Sequence, residues 1–263
     1  MAIQFYHIIP ELQPYVKMIC VMDGGPAGNA SFRVLPDTCA ELFISCHPGM
    51  IASVDYAVTG STYGSFANFR MRRYLDVSMN PEIRFISLCF QTGAAYRFFP
   101  VAMQEVSDSS IGISDIWGGV ASDLEEQIAG EASEAGKVRL VQDFLLQQLQ
   151  RNSHGGQIQH ILDLVDRMKG QISVKDMARN TGNSERQLNR YFIRYVGISP
   201  KEYASMKRFI HSLKNLKDYP SDNLTGIAYK SGYYDQAHFI HEYRMFAGLT
   251  PGELLSGRRV VIC

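Results

Sequence analysis

Between residues 16 and 91 the apolar positions come in short runs separated by Gly, Pro, Asn or Asp. The runs are VKMICVMD (16–23), CAELFISC (39–46), MIASVDYAV (50–58), RRYLDVS (72–78) and IRFISLCFQ (83–91). All are rich in β-branched and aromatic residues, the signature of strands. In CAELFISC the residues Ala40, Leu42, Ile44 and Cys46 share one face, but Phe43 breaks the alternation. That strand is expected to be covered on both sides.

After residue 93 the period changes to that of a helix. The segments AAYRFFP, SDIWGGVASDLEEQIAG and EAGKVRLVQDFLLQQLQ follow one another, and in the last Val138, Val141, Leu145, Leu146 and Leu149 recur at helical spacing. The stretch QQLQRNSHGGQIQ ends this pattern, with Ser153, His154, Gly155 and Gly156 as a turn or linker signal. The predicted division is a β-rich, then helical, domain over 1–152 and a second domain over 157–256. From 157 onward the pattern is almost wholly helical. Ile158, Ile161, Leu162 and Val165 form one face before Gly170. Ser173 and Ser184 stand as N-caps, and Pro200 as a first helical residue. The fold class expected is α+β: a β-barrel or sandwich with trailing helices, then an all-α unit.

The helical part contains a repeat. DMARNTGNSERQLNRYFIRYVGISP (176–200) aligns with GIAYKSGYYDQAHFIHEYRMFAGLTP (226–251). Ala178 and Gly182 match Ala228 and Gly232 fifty residues on. After one inserted residue, Leu188, Phe192, Gly197 and Pro200 match Phe239, Tyr243, Gly248 and Pro251. Each copy reads as a helix, a tight turn and a second helix. A small Ala permits close approach, a Gly stops the first helix, and an apolar pair four residues apart locks the second onto it. Such a helix-turn-helix presents its second helix to a DNA major groove.

At 3.6 residues per turn, Leu188, Tyr191, Phe192 and Tyr195 point inward in the first copy, while Arg186, Asn189, Arg190 and Ile193 point out. In the second copy Phe239, Tyr243 and Phe246 point inward. Ala237 and His241 lie opposite them, with Gln236 and His238 on the flanks. Arg can bond bidentately to guanine and Asn to adenine. The helix between the motifs, from about Pro200 to Lys217, spans about 27 Å. That is near the ~34 Å between successive major grooves on one DNA face.

Charge sharpens this picture. The chain of 263 residues has a formal net charge of zero, but residues 1–156 carry 10 Lys+Arg against 16 Asp+Glu, and residues 157–263 carry 16 against 10. A basic half beside an acidic half fits a polyanion partner for one half only. No apolar run reaches the roughly 18 residues of a membrane helix, and MAIQFYHIIPELQPY lacks the pattern of a secretion signal. A cytoplasmic protein is expected, with reduced cysteines. Cys20, Cys39, Cys46, Cys89 and Cys263 show no metal-binding spacing. The nearest cluster, Cys39 and Cys46 with His47, lacks further ligands. No metal site and no cofactor are expected. Asp37 and Glu41 suggest a carboxylate pair, with solvated or capping roles favoured. His238, His241 and Glu242 sit together on one helix, as a metal or proton-transfer site would, but the aligned helix has Arg190 where this one has His241. An arginine has no place in a metal site, so a DNA-reading face accounts for both copies.

These residues resemble the C-terminal signature of AraC/XylS-type transcription regulators. The match runs through Ile227, Ala228, Gly232, Tyr233, Phe239, Tyr243, Gly248, Thr250 and Pro251, and in the first copy through Ala178, Ser184, Leu188, Arg190, Phe192, Gly197 and Pro200. It covers about 158–255. The resemblance implies a seven-helix domain with two helix-turn-helix motifs on a long connecting helix, and a non-enzymatic regulator. It puts base reading on Arg186, Asn189 and Arg190, and on Gln236, His238 and His241. Phosphate contacts are assigned to Lys207, Arg208, Lys230 and Arg244. Double-stranded DNA is the implied partner, with RNA polymerase, a small-molecule effector and a second copy of the chain as further ones. Family members often carry Arg at the place of His241, and His is shorter and only partly charged near neutral pH. FRVLPDTCAELFI and ISLCFQTGAAYRFFPV resemble an uncharacterised sensor-type domain whose usual wording is P-D-G-C and F-x-P-G-A; here Thr38 and Thr92 replace the Gly and the Pro. The alternative is a small-molecule enzyme on the β-rich half, fused to a DNA-binding regulatory module.

Overall fold

The computed structural model describes residues 2–23, 30–47, 52–56, 59–69, 72–79, 84–151, 157–220, 222–255 and 260–261. The linker signal at Ser153–Gly156 lies outside the described residues, as does Cys263. Strands β1 (Ala2–Phe5), β2 (Val16–Asp23), β3 (Ala30–Val34), β4 (Ala40–Ser45), β5 (Ala52–Tyr56), β6 (Thr59–Tyr63), β7 (Phe66–Phe69), β8 (Leu75–Met79) and β9 (Arg84–Phe90) come first. A short helix α1 (Met103–Val106), strand β10 (Ser110–Gly112) and helices α2 (Ile113–Trp117), α3 (Gly119–Gly130) and α4 (Glu134–Arg151) follow. The expected helix at AAYRFFP is only a 3-10 turn, Ala95–Arg97. Gly93 with positive φ on one side and Pro100 on the other leave no room for more.

Two sheets result. One has the order β1-β2-β9-β4-β7-β10; the other has β3-β8-β5-β6, extended at β3 by a tail strand β11 (Val260–Val261) that runs parallel to it. The first sheet buries one face under the helices. Leu42, Ile44, Ile86, Leu88 and Phe90 join Phe98, Phe99, Trp117, Leu124, Val141 and Leu145 in one core. Trp117 is anchored there through its indole N–H, which donates to the Phe98 carbonyl at 3.2 Å.

The opposite face of the same sheet is different in kind. The strand register pairs Glu41 with both Asn68 and Cys89, and Phe43 with both Phe66 and Ser87. Glu41, Asn68, Ser87 and Cys89 are all buried. So β4 is covered on both sides, as Phe43 foretold. Asp37 and Glu41 are likewise buried rather than solvated, although Asp37 does cap, its Oδ1 accepting from the Cys39 N–H at 3.0 Å. The adjoining Cys39 thiol, then burial, then Asp37 and Glu41, push the Cys89 thiol up. Burial and Glu41 push the Cys20 thiol up to about 11.

The C-terminal part contains seven helices among the described residues: α5 (Gln157–Arg167), α6 (Val174–Thr181), α7 (Glu185–Tyr195), α8 (Pro200–Asp218), α9 (Leu224–Lys230), α10 (Gln236–Ala247) and α11 (Pro251–Leu255). The first core continues through Ile158, Leu162, Met177, Leu188 and Phe192 as far as Ala204 on α8. A second core begins at Met206 and gathers Phe209, Leu213, Ile227, Phe239, Tyr243 and Phe246, with Leu35 from the N-terminal half. Helix α8 is thus a beam whose first turns belong to one core and whose remainder belongs to the other.

Candidate nucleic-acid interface

The two motifs are built alike, cap by cap. Ser173 opens α6 by accepting from the Asp176 N–H, and Gly182 closes it in the left-handed region at φ 68°. Ser184 then starts α7 with a capping box: its hydroxyl takes the Gln187 N–H and the Gln187 side chain takes the Ser184 N–H. In the second motif Asn223 opens α9, Gly232 makes the turn at φ 80°, and Asp235 caps α10 by accepting from the His238 N–H at 2.7 Å. After each motif the same device recurs, with Ser199 and Glu202 before α8 and Thr250 and Glu253 before α11. Those pairs stand 51 residues apart, so the repeat reaches into the flanking helices.

Burial follows the predicted faces. Leu188 and Phe192 are fully buried, and so are Phe239 and Tyr243. Arg186, Asn189 and Arg190 are exposed on α7, with Ile193 half-buried. On α10 His238 and His241 are exposed and Gln236 is half-buried. Two of the second set already have partners. The Gln236 Oε1 accepts from the Thr225 hydroxyl at 2.6 Å, and the His238 Nε2 lies 3.3 Å from Glu242 Oε1.

That carboxylate anchors the second motif. Glu242 is buried and receives the Arg208 Nη2 at 2.8 Å, while the Arg208 guanidinium sits 4.9 Å from the Tyr233 ring. Two further polar contacts fasten α8 to this motif. Ser212 and the Tyr243 hydroxyl are 2.8 Å apart, and Asn215 Nδ2 donates to Ser231 Oγ at 2.9 Å.

The four cations assigned to phosphate fall into two groups. Lys207 and Arg208 face inward, with side chains 14% and 16% exposed. Lys207 Nζ lies 3.0 Å from Asp166 Oδ1 and 3.4 Å from Thr92 Oγ1 of the N-terminal half. Lys230 is on the surface, paired with Asp222 at 2.6 Å, and Arg244 is exposed.

The sequence alone did not show what lies beside the exposed face of α7. Arg186, Asn189, Arg190, Ile193 and Arg194 line an open depression of about 500 Å³ together with Ala102 and Gln104 of the N-terminal half. Helix α1 packs directly on α7. Gly197, at φ 92° just past α7, sits so close that a Cβ there would come 2.6 Å from the Met103 carbonyl oxygen. The end of α10 is held in a comparable way. Arg33 Nη1 donates to the Ala247 carbonyl at 3.1 Å, and Arg33 is itself fixed by Asp76 at 2.6 Å and stacked 3.8 Å over Tyr74. Only tertiary contact reveals these residues; nothing in their local pattern marks them.

Residues 177–257 match a family described as a helix-turn-helix domain, and residues 5–112 match a domain of unknown function, DUF6597. Two relatives called HTH-type transcriptional activator RhaS, from Escherichia fergusonii and an Enterobacter species, are each 28% identical over 95 residues. That stretch is 36% of this chain and 34% of each relative, so the match spans about a third of their length. Among solved structures, an AraC-type transcriptional regulator from Chromobacterium violaceum is 28% identical, with 37% of this chain and 87% of that one covered at a TM-score of 0.34. ToxT from Vibrio cholerae is 13% identical, with 97% and 98% covered at a TM-score of 0.48. Among the described residues no helix is long and apolar enough to cross a membrane.

Proposed function

We propose, from the premise that residues 177–257 are a helix-turn-helix domain of the AraC/XylS type joined to an N-terminal domain of uncharacterised family, that this chain is a sequence-specific DNA-binding regulator of transcription. The observation that carries the reading is the duplicated motif itself. Two helix pairs, each helix capped by a side chain at its start, turn exposed hydrogen-bonding side chains outward, and the aligned positions hold Arg190 and His241. Arg186, Asn189 and Arg190 read bases from the first motif. Gln236, His238 and His241 do so from the second, with less reach, since Gln236 and His238 already bond within the chain. Phosphate contact falls to the exposed Lys230 and Arg244, because Lys207 and Arg208 are largely buried in their internal pairs.

Helix α8 has 19 residues and so measures about 28 Å, which suits two reading helices set on successive major grooves about 34 Å apart. Control by the N-terminal half is supported by the contacts at Gly197 and Ala247, where both reading helices end against it. An effector or a second copy that shifts this seam shifts the presentation of both helices, and with it recruitment of RNA polymerase.

The test is binding to the DNA upstream of the chain's own coding region across a salt series. Affinity should fall on the order of 10³-fold or more between about 50 and 200 mM salt for six or more phosphate contacts. Footprinting should show two protected patches one helical turn apart. Binding that ignores salt, or no binding to any duplex, overturns the reading; one protected patch removes the two-segment claim alone.

A further inference from the structure

The β-rich half holds a cluster that the DNA-reading function does not use. Asp37, Cys39 and Cys89 each present a ligand atom, and these three atoms all lie within 4.8 Å of one another. The residues are 5%, 4% and 1% exposed. Asp37 and Cys39 come from the turn that leads into β4, and Cys89 comes from β9, which pairs with β4. In the sequence Cys39 is grouped with Cys46 and His47, but strand alternation turns Cys46 to the helical core and the pairing of β4 with β9 brings Cys89 instead.

We propose that Asp37, Cys39 and Cys89 form a binding site for a single thiolate-preferring divalent cation of the zinc class. Two sulfurs and one carboxylate oxygen are a ligand set zinc accepts, with bonds of about 2.3 Å to sulfur and 2.0–2.2 Å to oxygen. Those lengths imply ligand–ligand separations of roughly 3.3–3.8 Å in a tetrahedral site, so side-chain rotation of about an ångström closes the cluster. Soft sulfur donors exclude magnesium and calcium as occupants. The Thr92 hydroxyl, 3.8 Å from Cys39 Sγ, borders the cluster, and a water would complete a four-coordinate shell. Binding exchanges the two thiol protons for the cation, so uptake weakens as pH falls.

The cluster also touches the seam between the halves. Thr92 Oγ1 is 3.4 Å from Lys207 Nζ on α8 and 3.4 Å from Thr38 Oγ1, whose residue is held at φ 68°, a strained value for a β-branched side chain. The site stands apart from the DNA-binding reading and holds whether or not that reading does.

Cobalt(II) is the probe. The full chain, free of any tag and stripped with a chelator, should take up one equivalent of Co²⁺, with a thiolate-to-cobalt charge-transfer band that Zn²⁺ then abolishes. Cys39→Ser and Cys89→Ser should each lose the band, and Cys20→Ser, which alters a buried thiol outside the set, should keep it. X-ray absorption of the zinc-loaded native chain gives a reading that needs no variant, with two sulfur scatterers expected. A folded native chain that shows no such band, a band that survives both substitutions, or a zinc shell of nitrogen and oxygen only would overturn the proposal.

Discussion

Arg190 and His241 occupy equivalent positions on helices 51 residues apart, and their surroundings differ in what they leave available. Arg190 is exposed at the mouth of the depression on α7. If it bonds bidentately to a guanine, Arg190→Ala costs about 1–3 kcal/mol on the preferred site and little on random DNA. Competition binding against a scrambled duplex measures this, and an equal loss on both duplexes would make Arg190 a phosphate contact. Glu242, in contrast, belongs to the scaffold. Its side chain is 4% exposed, and Arg208, at 16%, has it as a counter-charge. Removing one member of a buried pair leaves the other uncompensated, at a cost of about 3–5 kcal/mol. Glu242→Gln should therefore lower unfolding free energy in urea by roughly that amount. A change under about 1 kcal/mol would mean that the pair is effectively solvated.

At the scale of elements, the long helices were legible, while the short α1 and about half of the strands were not, and AAYRFFP was over-read as a helix. Caps act locally, so Ser173, Ser184 and Pro200 marked helix starts that the structure keeps. Strands β2, β4, β5, β8 and β9 also stood out as β-branched runs. Strand β7 went unseen because FANF is buried on both faces, with Asn68 inside, so it has no alternation to read. Strands β10 and β11 are two or three residues that exist only through distant partners, β7 and β3. The metal-like cluster was hidden for the same reason, since Cys39 and Cys89 meet only by strand pairing. Where a cap was local but unnoticed, it yields a prediction with a sign. Glu202 closes the box that opens α8, and burial raises its pKa, but Ser199 and then Arg72 outweigh that and hold it below 4.5. A carboxylate with a depressed folded pKa adds stability above its unfolded value and loses it as pH falls through the folded one. Glu202→Gln keeps the box, as Gln187 does at α7, and removes only a half-exposed charge, so it should cost about 0.2–1 kcal/mol at pH 7, with the gap to the native chain closing as pH falls through the folded pKa. Urea unfolding at a series of pH values decides it, and a gap that stays constant into acid would show that the charge contributes nothing.

For the whole molecule, the arrangement of the halves matters more than either half. The first core crosses from the sheet into α5, α6 and α7 without a break and ends on α8. Helix α1 therefore meets α7 as part of a packed interior, and its Gln104 shares a depression with Arg186, Arg190 and Arg194. On the proposed function, a strand of phosphates approaching α7 passes this edge. Gln104 is exposed, so its charge can be altered without touching the core. Gln104→Glu places a carboxylate among three arginines, where it competes with DNA for them and adds repulsion toward the backbone. Exposed pairs of this kind amount to about 0.2–1 kcal/mol, which is up to roughly five-fold in affinity. The weakening should be largest at low salt and fade toward 0.5 M, where screening shortens to about 4 Å. Thermal stability should not move, since nothing buried changes. Gln104→Lys should act in the opposite direction under the same conditions. If neither substitution alters binding at low salt, then α1 moves away from α7 before DNA arrives, and the seam opens as a step of recognition rather than standing beside the bound duplex.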